Sequence, residues 1–118
     1  MKKILLVDDE ESIQIVYREE FEDEGYQVIS ALDGQTGLAK FKEDEPDLVI
    51  LDIQMPGMNG VEVLRQMKMI KASVPVILSS AYQEFKQDLG TWASDEYVVK
   101  SGNLDELKNT VRILLGKK

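Results

Sequence analysis

The sequence predicts an α/β domain, a doubly wound, five-stranded parallel sheet with five helices on two faces. Three observations predict it. Short apolar runs alternate with segments of helical spacing five times along 118 residues. Runs such as Leu48-Val49-Ile50-Leu51 and Val76-Ile77-Leu78 are continuously apolar, as strands covered on both faces should be. The length admits one core and one domain, read as residues 1–118.

The elements follow in order. Lys3–Val7 is the first strand. Ile13, Val16, Tyr17 and Phe21 then form the stripe of a first helix, which stops before Gly25, a plausible helix-end residue. Gln27–Ala31 is the second strand; after the short turn Asp33-Gly34, Leu38 and Phe41 mark a second helix. Asp47–Leu51 is the third strand, followed by a helix carrying Val61, Leu64 and Met67. Pro75–Ser79 is the fourth, and Gln83–Trp92 has a weaker helical pattern. Glu96–Val99 is the fifth. Leu104, Leu107, Val111 and Leu114 mark the last helix, with Asn103 and Glu106 at capping-box spacing. Right-handed crossovers between such units put helices on both faces of the sheet. Five strands suit the flavodoxin-like order 2-1-3-4-5, in which ligands bind at the carboxyl ends of the strands where the order reverses.

Composition excludes several functions. A chain 43% hydrophobic and 31% charged is globular in type, not disordered. No apolar run approaches the roughly 20 residues that cross a bilayer. Ile4–Val7 runs straight into Asp8-Asp9-Glu10-Glu11, so there is no secretory h-region, and a cytoplasmic protein with no membrane partner is expected. Without cysteine there are no disulfides or thiolate metal sites. Without histidine there are no imidazole bases and no self-contained phosphohistidine chemistry. A net charge of -8 argues against nucleic acid as a partner, which calls for a basic surface.

The informative residues lie at the strand ends. Asp8-Asp9-Glu10 follow the first strand, Asp52 the third, Ser79-Ser80 the fourth and Lys100 the fifth, whereas the second ends in the unreactive Ser30-Ala31-Leu32. In the order 2-1-3-4-5 the second strand is an edge, so the four polar ends fall on adjacent strands and face one pocket. Each residue alone has a plainer explanation. Asp8 and Asp9 are common before a helix, Asp52 could open a turn, and the serines and Lys100 could be solvated. Together they are harder to dismiss, because converging carboxylates repel and resist joint ionisation. A divalent cation removes that difficulty. Mg²⁺ prefers oxygen ligands, and one or two carboxylates with phosphate oxygens suffice, while a carboxylate can also act as nucleophile and form an aspartyl phosphate. The transferred group needs its oxygens neutralised by metal, lysine and hydroxyl donors. Asp8 and Asp9 as metal binders, Asp52 as acceptor, Lys100 as cation and a serine as donor supply one of each.

These residues resemble the receiver-domain signature of response regulators, along the whole chain. Val7-Asp8-Asp9-Glu10 resembles the acidic pair, and Leu51-Asp52-Ile53-Gln54-Met55-Pro56-Gly57-Met58-Asn59-Gly60 the phosphoacceptor segment, the most specific match. Ser80-Ala81 matches the Thr/Ser-Ala step, and Tyr97-Val98-Val99-Lys100 the switch aromatic and lysine. The chemotaxis regulator of this family is itself a standard example of the 2-1-3-4-5 order, so that agreement is not independent. The resemblance implies a two-component signalling switch, phosphorylated on Asp52 by a histidine kinase or a histidine phosphotransfer protein of a phosphorelay. It implies Mg²⁺, with Mn²⁺ as a substitute, bound by Asp9, Asp52 and the backbone carbonyl of Gln54, and by Asp8 largely through water. Lys100 would pair with the acceptor or its phosphoryl group, Ser80 would bond a phosphoryl oxygen, and Tyr97 would turn inward. That movement would remodel the surface of the fourth helix, fifth strand and fifth helix, where a downstream protein docks. The protein would not be an enzyme beyond its own phosphorylation and slow autodephosphorylation. Trp92 is read as a packing residue.

Three positions depart from the family pattern. Lys100 is followed by Ser101-Gly102 where Lys-Pro is usual, so a trans Lys100–Ser101 bond and a shifted loop are expected, because a non-proline cis bond costs about 2.5–4 kcal/mol. Ala93-Ser94 replaces the common Gly-Ala pair. Gln54 and Tyr82 occupy the positions that influence water attack on the acyl phosphate, and a bulky Tyr82 is expected to lengthen its life. Two other readings compete. An aspartyl-nucleophile phosphohydrolase would want a second Asp two residues beyond the nucleophile, where Gln54 stands. A receiver-like binding module would not be phosphorylated and would ignore beryllofluoride. The sequence leaves open a stand-alone regulator, a relay intermediate or a fragment of a longer protein.

Overall fold

The five apolar runs become five strands because each can be covered on both faces. In a computed structural model, which describes residues 1–53, 59–80, 96–100 and 103–116, these are β1 (Lys3–Val7), β2 (Gln27–Ala31), β3 (Leu48–Asp52), β4 (Val76–Ser80) and β5 (Glu96–Val99). They form one parallel sheet in the order β2-β1-β3-β4-β5, as the sequence predicts. The described helices are α1 (Glu11–Asp23), α2 (Gly34–Asp44), α3 (Gly60–Ile70) and α4 (Asp105–Leu114). The last of these is the fifth of the sequence pattern, since the helix expected over Gln83–Trp92 lies outside the described residues, as does the Ala93-Ser94 turn.

Alternation along each strand divides the core in two. Leu5, Val7, Val49, Leu51, Val76, Leu78 and Tyr97 pack on one face against Leu38 and Phe41 of α2 and Val63, Leu64 and Met67 of α3. Ile4, Leu6, Leu48, Ile50, Ile77 and Val98 pack on the other against Tyr17 and Phe21 of α1 and Leu107 and Val111 of α4. On that second face Lys108 pairs with Glu20 and Arg112 with Glu24 at 2.9 Å, joining α4 to α1 at the surface.

Several boundaries differ from the sequence reading. β3 and β4 each begin and end one residue later than expected. Asp47 precedes the ladder, where its carboxylate accepts from Lys3 N at 2.8 Å, while pairing of Asp52 with Ser79 carries the sheet one step further. The acceptor candidate is therefore a strand residue, not the start of a turn. On α1 the inward row is Gln14, Tyr17 and Phe21, and Val16 is half exposed. Tyr17 and Phe21 of the predicted stripe are buried and Ile13 packs against the core, but Gln14, not Val16, completes the inward row, because the strand ends below α1 expose backbone carbonyls that a glutamine can satisfy. Asp33-Gly34 is a helix start: Asp33 Oδ1 accepts from Thr36 N at 2.7 Å.

The predicted stop at Gly25 holds in detail. With φ at +93°, Gly25 donates to Glu22 O and Tyr26 donates to Phe21 O, the paired bonds of a Schellman ending. At α4, Asn103 Oδ1 accepts from Asp105 N at 2.8 Å, at the start of the helix.

Gly60 opens α3 tight against the end of β3, and its N–H donates to Ile53 O at 2.9 Å. A Cβ there would strike the backbone of Asp52 and come within 2.6 Å of Ile53 Cα. Gly60→Ala is expected to cost about 1–3 kcal/mol through this overpacking. Urea unfolding measures it, and an unchanged midpoint would contradict the close approach.

Candidate functional site

Four strand ends meet at the carboxyl edge of the sheet. Asp8 follows β1 and is 2% exposed, and Asp52, the last residue of β3, is 4% exposed. Alternation places both on the α1/α4 face, since Asp8 follows the parity of Leu6 and Asp52 that of Ile50. Lys100 follows β5 with the parity of Val98, and its N–H donates to Ser80 O at 2.7 Å. Its ammonium lies 2.9 Å from Asp8 Oδ2, 3.5 Å from Asp52 Oδ2 and 3.7 Å from Glu10 Oε1. Asp9 is exposed, yet Asp8, Asp9 and Asp52 each present a carboxylate oxygen within 4.8 Å of the others.

The electrostatics are those of an incompletely neutralised site. Four carboxylates face one ammonium. Burial alone would lower the Lys100 pKa, but its hydrogen bond to Asp8 and the charges of Asp52, Asp8 and Glu10 outweigh that and raise it. Tyr17 of α1 lies within reach of the same field. Burial pushes its phenol up, the Lys100 charge opposes this, and Asp8, Asp52 and Glu10 add to it. The donor set contains only oxygen, which fits a hard divalent cation such as Mg²⁺. Asp8 has its two oxygens engaged, one by Lys100 and the other by Glu10 N at 3.0 Å, whereas Asp9 faces solvent.

The other candidates divide. Ser80 is 1% exposed and ends β4, but alternation puts it with Leu78 on the α2/α3 face. Tyr97, 4% exposed, lies on that same face, in register with Leu78. The structure thus places the acids and the lysine on one side of the edge and the predicted switch pair on the other. Gln54, Tyr82, Trp92 and the Lys100–Ser101 peptide lie outside the described residues.

Sequence reasoning missed Gln14. Its side-chain amide donates to Leu6 O at 3.2 Å, Asp8 O at 3.0 Å and Ala31 O at 2.9 Å, pinning the loop that carries Asp8 to the ends of β1 and β2. The available signal was a polar residue three positions before Tyr17 and seven before Phe21, on the inward side of the helix. Tyr17 was read only as packing.

A doubly wound parallel sheet with an acidic cluster and a lysine at its carboxyl edge defines a flavodoxin-like α/β domain whose clustered acids could hold a metal ion. The family model described as the response regulator receiver domain matches residues 4–112, and the chain belongs to that family of signalling domains. Among curated relatives, it is 38% identical over 116 residues to the alkaline phosphatase synthesis transcriptional regulatory protein PhoP of Bacillus subtilis, covering 97% of this chain but 48% of that protein. It is 37% identical over 113 residues to sporulation initiation phosphotransferase F of the same organism, covering 94% and 91%. The chain therefore spans about half the length of the first relative and nearly all of the second. Among solved structures it resembles the response regulator TrrA of Thermotoga maritima in complex with Mg²⁺ and beryllium fluoride, with a TM-score of 0.92, 48% identity and coverage of 97% and 99%. It also resembles TrrA in the complex with histidine kinase ThkA, with a TM-score of 0.90, 48% identity and coverage of 98% and 99%.

Two expectations follow. Gln14→Leu leaves the Leu6 and Asp8 carbonyls without this donor and is expected to cost about 1–3 kcal/mol in urea unfolding; a neutral result would mean that water replaces the amide. The Lys100 ammonium, raised in the fold, contributes stability below its unfolded pKa and loses it as pH rises through the folded value. Above about pH 10.5 the wild type should therefore lose stability more steeply than Lys100→Met, and parallel pH curves would contradict the bridge.

Proposed function

We propose that this chain, residues 1–118, is a phosphorylation switch in which Asp52 accepts a phosphoryl group with Mg²⁺ bound beside it. The observation that carries this reading is the convergence of Asp8, Asp9 and Asp52 around one point with Lys100 bridging Asp8 and Asp52. The chain has no histidine, so the donor is external: the phosphohistidine of a histidine kinase or phosphotransfer protein, or a small acyl phosphate. An Asp52 carboxylate oxygen attacks phosphorus as the donor's phosphorus–nitrogen bond breaks. The electron pair stays on the imidazole, and the phosphoryl group ends on Asp52 as an acyl phosphate. Mg²⁺, for which Mn²⁺ can substitute, supplies positive charge to the phosphoryl oxygens. Asp8, Asp9 and Asp52, with the Gln54 carbonyl, would hold it. Lys100 pairs with the charge that leaves the carboxylate, and water later cleaves the acyl phosphate slowly, with Gln54 and Tyr82 limiting its approach.

Output follows from Ser80 and Tyr97. Ser80 bonds a phosphoryl oxygen, Tyr97 packs behind it, and the surface of β5 and its flanking helices changes for a downstream protein partner. That both residues share one sheet face supports this coupling. TrrA has been captured both with Mg²⁺–beryllium fluoride and with a histidine kinase, which supports the same ligand and partner class here. A cytoplasmic site of action fits a chain in which, among the described residues, no helix is long and apolar enough to cross a membrane.

Incubation with acetyl phosphate and Mg²⁺ should add one phosphoryl mass to the intact protein. Asp52→Asn should abolish the gain, and Asp9→Asn should raise the Mg²⁺ required at least tenfold. Uptake by Asp52→Asn at the wild-type rate would sink the reading.

A further inference from the structure

Ser79 carries a hydroxyl that the scheme above does not use. The residue is 2% exposed, and its Oγ is buried with no hydrogen-bond partner among the described residues. Such a group burdens a fold, since an alanine would fill nearly the same space without an orphaned donor. Its position points to a role. Ser79 stands in register with Asp52 on the adjacent strand, about 4.8 Å away in the pairing direction. By alternation it follows Ile77 onto the face that holds Ile50, and so lies on the same side of the sheet as Asp8, Asp52 and Lys100. Ser80, the hydroxyl assigned to the phosphoryl oxygen, follows Leu78 onto the opposite face. The two serines therefore cannot perform one task between them.

We propose that Ser79 is a positioning residue of the phosphoacceptor site, its hydroxyl turning about χ1 to donate to the Asp52 carboxylate and hold it for attack. This rests on Asp52 being the acceptor. An ionised carboxylate accepts at about four positions, enough for a lysine, a cation and a hydroxyl together. An O–H···O⁻ bond is short and directional, so it fixes the plane of the carboxylate as well as its charge. Fixing that plane favours the in-line approach of one oxygen to phosphorus, an orientational gain realised in the transfer step. A hydroxyl kept unsatisfied in the resting fold and satisfied at the reacting carboxylate exchanges some stability for rate.

The test compares wild type, Ser79→Ala, Ser79→Thr and Ser79→Val as full chains. Phosphoryl uptake from acetyl phosphate at saturating Mg²⁺ is followed by intact mass, with urea midpoints and Mg²⁺ binding measured alongside. Thr and Val have nearly the same shape, so a packing effect moves them together and a hydroxyl effect separates them. Uptake should be roughly tenfold slower in Ser79→Ala and Ser79→Val, the scale of losing one charge-assisted hydrogen bond. Ser79→Thr should stay within about twofold of wild type, because it retains the donor. The Ser79→Ala urea midpoint should be equal or higher, with Mg²⁺ binding unchanged. Uptake by Ser79→Ala at the wild-type rate overturns the proposal, as does equal uptake by the Thr and Val variants. If the larger side chains do not fold, the alanine variant decides alone. A wild type that takes no phosphoryl group, or takes it when Asp52 is Asn, overturns the acceptor assignment first and the role of Ser79 with it.

Discussion

The bridge from Lys100 to Asp8 and Asp52 is the interaction on which the carboxyl edge of this sheet depends. Two carboxylates 2% and 4% exposed would repel strongly if unpaired, and neither has moved out to water. From the end of β5 the lysine stem crosses the end of β4 to reach Asp52 and the ends of β4 and β3 to reach Asp8. Strand order, parity and side-chain length must all agree for this to happen. A shift of one residue in the register of β5 would turn Lys100 to the other face and leave the acids unopposed.

The bridge neutralises the cluster only in part. Asp9 and Glu10 add charge at the rim, and one lysine cannot balance four acids. The leftover negative charge is what would favour a cation at this edge, as the proposed function requires. Gln14 serves the same end without charge. By holding the Asp8 carbonyl to the ends of β1 and β2, it fixes where the acidic loop begins.

Most of this was legible in the sequence because it depends on features with a short period or a fixed place. Continuous apolar runs located all five strands within one residue, and the chemistry of their ends located Asp8, Asp9, Asp52 and Lys100 in one cluster. What was not legible depends on rotation and on what lies across the fold. The α1 stripe was read with Val16 inward because hydrophobicity alone cannot register the carbonyls of Leu6, Asp8 and Ala31 waiting below the helix; Gln14 answers them. The β3 and β4 ends were each placed one residue short because Asp52 and Ser80 are polar, and polarity at a strand end reads as a loop until the pairing partner is known.

That error bears on function. A residue inside the ladder has its backbone fixed by both neighbours, whereas a loop residue does not. Leu51 is paired with Val7 of β1, and Asp52, the next residue, is paired with Ser79 of β4, so the proposed acceptor stands on a rigid base while Gly60 closes α3 against its carbonyl side. A nucleophile on such a base loses little orientational freedom when its partner arrives. The proposed switch residues, Ser80 and Tyr97, lie on the opposite face and share a surface with the α2/α3 core rather than with the acids. In the proposed scheme the sheet divides the labour: one face would hold the chemistry still, and the other would report it.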